Sequence, residues 1–155
     1  VGGDARERAR GVARSRALGI EARCHWLPPE PLESLGPLMS EAAILAAPRL
    51  RGINTPMKIF PFLHSGKPVL LTRLPTHTQL LDDRTAFLVE PDAPSVAAGL
   101  LRLVRDPDLR NRLGEAGVAF VEANHTYAAH RERLRAAYLS IAEVLAENSK
   151  LEASC

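Results

Sequence analysis

Cysteine is scarce in this chain of 155 residues: only Cys24 and Cys155 carry a thiol, far apart and outside any metal-spaced cluster. A disulfide scaffold and a zinc ribbon are thereby excluded, and a reduced, cytoplasmic protein is the expectation. Long apolar runs are lacking too. None approaches the roughly 20 residues that a bilayer-spanning helix needs and no signal peptide is visible, so no transmembrane segment is expected. Peripheral attachment to a membrane stays open for a longer protein. An excess of one charge is also wanting, since 20 Lys+Arg face 18 Asp+Glu for a net +2. A pI near 8.8 therefore carries no bulk electrostatic case for nucleic acid as a partner. His64, His77, His125 and His130 are dispersed without the i, i+4 pairing of a zinc helix. His77, following a strand's carboxyl end, is the histidine best placed for a role. Asp82-Asp83 reads as a solvated turn more than as a metal site.

What is present suits one globular domain, with 46% hydrophobic residues and length enough to bury about two thirds of the unfolded surface. From Asp4, a helix-capping residue, Ala5, Ala9, Val12 and Ala13 share one helical face up to Gly19. Arg6, Arg10 and Arg14 interleave with Asp4 and Glu7, a solvated face more than a nucleic-acid platform. "IEARCHWL" is expected as a strand and "EPLESLGPLMSEA" as a short, interrupted helix. "AAILAAP", "KPVLLT" and "TAFLVEP" are short apolar runs of the kind found in strands buried on both faces of a parallel sheet.

Between them lie the helical turn "PTHTQLL" and, after the third, a helix carrying Val96, Leu100, Leu103 and Val104. A last long helix places Leu134, Ala137, Tyr138, Ile141 and Leu145 on one stripe. Strands alternating with helices predict an α/β doubly wound parallel sheet of Rossmann-like type over 1–147, with a disordered tail at 148–155. Val1 opens the chain without a Met, so a piece of a longer protein is expected, and "VGG" reads as the exit of a strand lying upstream.

In such sheets ligands gather at the strand carboxyl ends, which points to "RGINTPMKIF" after "AAILAAP". Thr55 is expected to cap a helix with Pro56 at its first position, leaving backbone amides free to face an anion. Gly52 and Asn54 let the loop approach a ligand, and Lys58 adds positive charge, together a cradle for a phosphate or diphosphate. The alternative is an ordinary connection in which Thr55-Pro56 starts a helix and Lys58 is solvated.

The ordered set "AAILAAP", "RLRGINTPMKIF", "SGKPVLLT", "LPTHTQLLDD" and "AFLVEPDAPSVAAGLLRLVRDPDLRNRLGEAG" resembles the C-terminal domain of family-4 glycosyltransferases of the GT-B fold, and it covers nearly the whole chain. The resemblance implies a retaining, hexosyltransferase-like enzyme that uses a nucleoside-diphosphate sugar and no protein-held metal. An N-terminal domain and a first strand-helix unit, bearing an Arg and a Lys for the diphosphate, would lie upstream of Val1. It places Gly52, Asn54, Thr55, Pro56 and Lys58 in the donor-binding loop, and Trp26, Leu27 and Pro28 near the base. Catalytic residues are not assigned.

The family's Glu-x7-Glu pair is not kept. Its positions fall on Ile53 and Pro61, neither able to accept a hydrogen bond through its side chain. The alternative function is therefore a degenerate, non-catalytic domain with a folding or partner-binding role. An interior Pro61 would cost its helix about 3 kcal/mol, so a kinked or late-starting helix is predicted there.

Overall fold

The computed structural model describes residues 3–152. Where the sequence suggested a single core, the chain divides into two compact units, residues 1–41 and 42–155.

The first unit holds helix α1 (Ala5–Ala17), a short 3-10 turn (Glu21–Arg23) and helix α2 (Leu32–Glu41). Asp4 starts α1 as expected. Its carboxylate accepts from Glu7 N at 2.7 Å, and the Glu7 side chain accepts from Asp4 N at 3.0 Å, a reciprocal capping box. The strand expected over "IEARCHWL" does not form. Backbone bonds from Arg23 N to Ile20 O (2.9 Å) and Cys24 N to Glu21 O (3.0 Å) wind the segment into a turn. The Arg16 guanidinium then grips Glu21 by two bonds of 2.9 and 2.8 Å and holds that carboxyl below the usual range. Pro37 lies inside α2 without ending it, a correction to the interrupted helix.

The second unit carries the sheet: β1 (Leu45–Ala46), β2 (Val69–Thr72) and β3 (Phe87–Val89), all parallel, in the order β1-β2-β3. Leu70 of β2 stands opposite Ala46 on one side and Phe87 on the other. All four residues of β2 are buried, the signature of a central parallel strand. In β1, Leu45 is buried and Ala46 exposed, as an edge position allows.

Helices α3 (Ile59–His64) and α4 (Pro75–Thr78) make the crossovers, and α5 (Ala93–Arg105), α6 (Pro107–Asn124) and α7 (Tyr127–Glu152) follow. Asp92 caps α5 and Asp106 caps α6. The core joins Leu70, Val89, Leu103 and Leu113, with Val96 and Leu100 packed against them; each fully buried leucine contributes about 1.5–3 kcal/mol. A Cβ on Gly99 would lie 2.7 Å from Val89 Cγ1, so α5 sits directly on the sheet. Val104, expected on that face, is 61% exposed.

The stripe predicted on α7 is also exposed, at Leu134, Tyr138, Ile141 and Leu145. Helix α7 runs to Glu152, past the start expected for the tail. The remainder of that tail, 153–155, lies outside the described residues, as does the Val1-Gly2 part of "VGG".

Candidate functional site

The three parallel strands deliver their carboxyl ends side by side, and the segments that leave them form one wall of a groove of about 380 Å³. Pro48, Arg49 and Leu50 come from the exit of β1, Thr72 ends β2, and Pro91 to Ala93 lead into α5, whose Val96 and Leu100 supply apolar surface. This is the volume and mixed lining of a small-molecule site. A larger cavity of about 490 Å³ lies between α6 and the turn before β2. It sits at the amino end of that strand and bears Glu115 and Glu122, which suits an anionic ligand poorly.

Arg49 organises the first wall. Its backbone N–H donates to Thr72 Oγ1 at 3.0 Å, tying the end of β1 to the end of β2. Its Nη1 donates to the Asn54 carbonyl at 2.9 Å, closing the loop on itself. Gly52 lies against this guanidinium: a Cβ there would stand 3.0 Å from Arg49 Cζ and Nη1. A larger residue would shift the mobile tip of the arginine, and glycine leaves it room for this close approach.

Thr55 does not cap a helix. Its hydroxyl donates to the Thr76 carbonyl at 2.9 Å and accepts from Gln79 Nε2, latching the loop onto α4. The helix begins instead at Ile59, after a turn in which Ile59 N bonds to Pro56 O (3.1 Å) and Phe60 N to Met57 O (3.3 Å). Pro61 is thus the third residue of α3, inside the first turn where an N–H has no intrahelical acceptor to lose. This is the late start predicted. Lys58 immediately precedes the helix rather than lying one turn inside it; its side chain and that of Arg51 are exposed.

Of the predicted residues, then, Gly52, Asn54 and Thr55 are gathered by Arg49 and α4, while Pro56 and Lys58 lead into α3. None of the five lines the groove. Trp26, Leu27 and Pro28 belong to the first unit, where the Trp26 ring packs on Gly11 of α1 and is 45% exposed.

Sequence reasoning passed over Arg49, Thr72, Thr76 and Gln79, and reached His77 for another reason. His77 is fully buried, and its Nδ1 lies 2.6 Å from the Thr72 carbonyl. A carbonyl only accepts, so Nδ1 carries the proton. His77 Nε2 and Thr76 Oγ1 are buried without a partner within the protein. His77 therefore braces the end of β2. A signal for Arg49 was available: from Ala42 through Leu81 there is no Asp or Glu, although the segment holds Arg49, Arg51, Lys58, Lys67 and Arg73. Of these, Arg73 is engaged by Asp83 at 2.8 Å and approached by Glu90 at 3.7 Å.

A parallel sheet with flanking helices and a groove at the strand carboxyl ends defines a Rossmann-like domain of the GT-B kind. Residues 1–106 match the family described as Glycosyl transferases group 1, and the chain belongs to that family. It is 32% identical over 131 residues to a D-inositol 3-phosphate glycosyltransferase of Corynebacterium diphtheriae, a match that takes in 82% of this chain but only 30% of that protein.

Among solved structures, sucrose-phosphate synthase from Thermosynechococcus elongatus superposes with a TM-score of 0.76 at 21% identity, over 92% of this chain and 37% of that one. Anabaena HepE, solved in complex with UDP, gives 0.74 at 16% identity, over 85% and 36%. The C-terminal domain of the group 1 family protein LpcC from Francisella tularensis gives 0.65 at 15%, over 80% and 65%. At such identities these likenesses establish the fold. Among the described residues, no helix is long and apolar enough to cross a membrane.

Proposed function

We propose that this chain is the donor-binding part of a glycosyltransferase: it holds a nucleoside-diphosphate sugar for transfer to an acceptor, as part of a longer protein that supplies the acceptor site in an N-terminal domain. The observation that carries this reading is the groove at the strand carboxyl ends, lined by Arg49 from a segment, 42–81, free of acidic side chains. The diphosphate would meet Arg49, the amides of the 49–58 loop with Gly52 and Asn54, and Lys58. The base would lie on the apolar surface of Leu50, Pro91, Val96 and Leu100. HepE, of similar fold, has been solved with UDP and with UDP-glucose.

In the reaction, the bond from the sugar's anomeric carbon to the diphosphate oxygen breaks and a bond to the acceptor oxygen forms. The diphosphate leaves with the electron pair, and the acceptor's hydroxyl proton passes to the departing diphosphate oxygen. Cationic groups and oriented amides stabilise that growing charge, since they already point where it develops. We propose retention at the anomeric carbon, with no protein-held metal.

Isothermal titration of the chain with UDP, GDP and ADP tests the binding. Heat is expected with at least one of them, and Arg49→Ala should weaken it about tenfold or more, the loss of a charge-assisted contact. No heat with any of the three at millimolar ligand would refute the reading. A second reading, a degenerate domain that makes no transfer, draws on Ile53, 91% exposed, and Pro61, neither of which offers an acceptor. Radiolabelled transfer from the donor in the full-length protein separates the two.

A further inference from the structure

The groove at the strand carboxyl ends is lined by two charged residues of opposite sign, Arg49 from the exit of β1 and Asp92 from the turn after β3. The other lining residues are apolar except Thr72, whose Oγ1 is buried and already accepts from Arg49 N–H. Asp92 is exposed and pairs with no cation among the described residues. Each of its carboxylate oxygens accepts one bond from Ser95, Oδ1 from the backbone N–H at 2.7 Å and Oδ2 from the hydroxyl at 2.9 Å. An ionised carboxylate has about four acceptor sites, so acceptor capacity remains on both oxygens. The bonds from Ser95, which make Asp92 the cap of α5, also fix the carboxylate before any ligand arrives. Two neighbouring acceptors on one fixed, unneutralised carboxylate match the two O–H donors of a vicinal diol. The donor offers such a diol in its ribose. With the diphosphate on Arg49 and the base on Pro91, Val96 and Leu100, the ribose is the link between them, and Asp92 directly follows Pro91 in the lining.

We infer that Asp92 reads the ribose of the donor, its carboxylate accepting from the 2′- and 3′-hydroxyls. The inference rests on the donor-binding reading and adds to it the residue that selects a ribonucleotide. Asp92→Asn isolates this role. Asn caps a helix as well as Asp does and can still accept from Ser95 N, but it carries no charge and its NH2 donates where the carboxylate oxygen accepted.

The test takes the nucleoside diphosphate that gives the largest heat with the 155-residue chain, its 2′,3′-dideoxy counterpart and inorganic pyrophosphate. The parent chain should bind the ribonucleotide about tenfold or more tightly than the dideoxy form, the loss expected when a charge-assisted hydrogen bond is removed. In Asp92→Asn that preference should shrink to within about threefold. The dideoxy nucleotide and pyrophosphate should bind Asp92→Asn at least as tightly as they bind the parent, because a negative charge has been removed beside an anionic ligand. Equal binding of the two nucleotides by the parent, or an undiminished preference in Asp92→Asn, overturns the inference and leaves the donor-binding reading standing. So does an Asp92→Asn chain that loses all three ligands alike, the mark of a residue that acts only as a cap. No heat with any nucleotide overturns both.

Discussion

Gly114 offers a stringent test of how the second unit is packed. It is buried in α6, and a Cβ built there falls on the Gly66 carbonyl, 2.9 Å from the carbonyl carbon and 3.7 Å from Lys67 N. These are backbone atoms that cannot swing aside as the tip of a side chain would. Gly66 itself sits at φ +73°, a left-handed conformation that fixes the turn before β2. In Gly114→Ala, helix α6 must therefore move away from that turn.

Alanine gains about 0.8–1 kcal/mol over glycine in a helix, while overpacking a tight interior costs about 1–3 kcal/mol. Contact with backbone puts this site at the upper end, for a net loss of about 1–2 kcal/mol. With a urea dependence of about 2 kcal/mol per molar, the unfolding midpoint followed by circular dichroism should fall by about 0.5–1 M. Gly36→Ala is the control, because a Cβ there meets nothing within 4 Å in α2 and only the helical gain applies. A Gly114→Ala protein as stable as the parent would refute the packing described for α6.

Other expectations follow from the site and its supports. Thr55→Val and Gln79→Ala each break the latch between the loop and α4; both should speed amide hydrogen exchange in residues 52–58, and the double variant should add little to Thr55→Val alone. Pro61→Ala should change stability by less than about 1 kcal/mol, since Pro61 lies in a first turn; a gain near 3 kcal/mol would restore an interior proline. His125 packs against Phe60 and Phe120, with ring centroids 4.5 and 5.0 Å apart, and its pKa lies below the ordinary 6.5 because of burial and then the nearby Arg133. The unfolded chain then binds the extra proton first, so this histidine's contribution is present above pH 6.5 and is lost as the pH falls through the depressed folded value. Melting temperatures from pH 7.5 to 5 should drop less steeply for His125→Phe, and identical slopes would dismiss the effect.

The strands were legible because β2 and β3 are short apolar runs between turn residues, a pattern that needs no knowledge of partners. The strand proposed for "IEARCHWL" carried a similar local signal, but the Arg16–Glu21 ion pair and the turn from Ile20 to Cys24 hold it in another form. The α7 stripe shows the same limit from the other side: its helical period was real, and the described residues leave it exposed. In the loop after β1, turn chemistry singled out Gly52 and Asn54, and neither lines the groove. Thr55 was singled out as a helix cap, because Thr-Pro signals a helix start, while its hydroxyl is taken by Thr76 and Gln79 from 21 and 24 positions away. For Arg49 the acid-free stretch from 42 to 81 marked a cationic segment without singling out one residue; its contact with Thr72 comes from the parallel register, which brings the ends of β1 and β2 alongside.

The first-turn position of Pro61 also bears on how this chain can be read among its relatives. Residue 61 has no intrahelical N–H bond to lose and its side chain is exposed, so folding exerts little selection there in favour of proline or against it. Substitutions at this position should therefore be close to neutral for stability. Drift at Gly66 and Gly114 is the opposite case: Gly66 is held by its φ of +73°, and a side chain at Gly114 would fall on the Gly66 carbonyl.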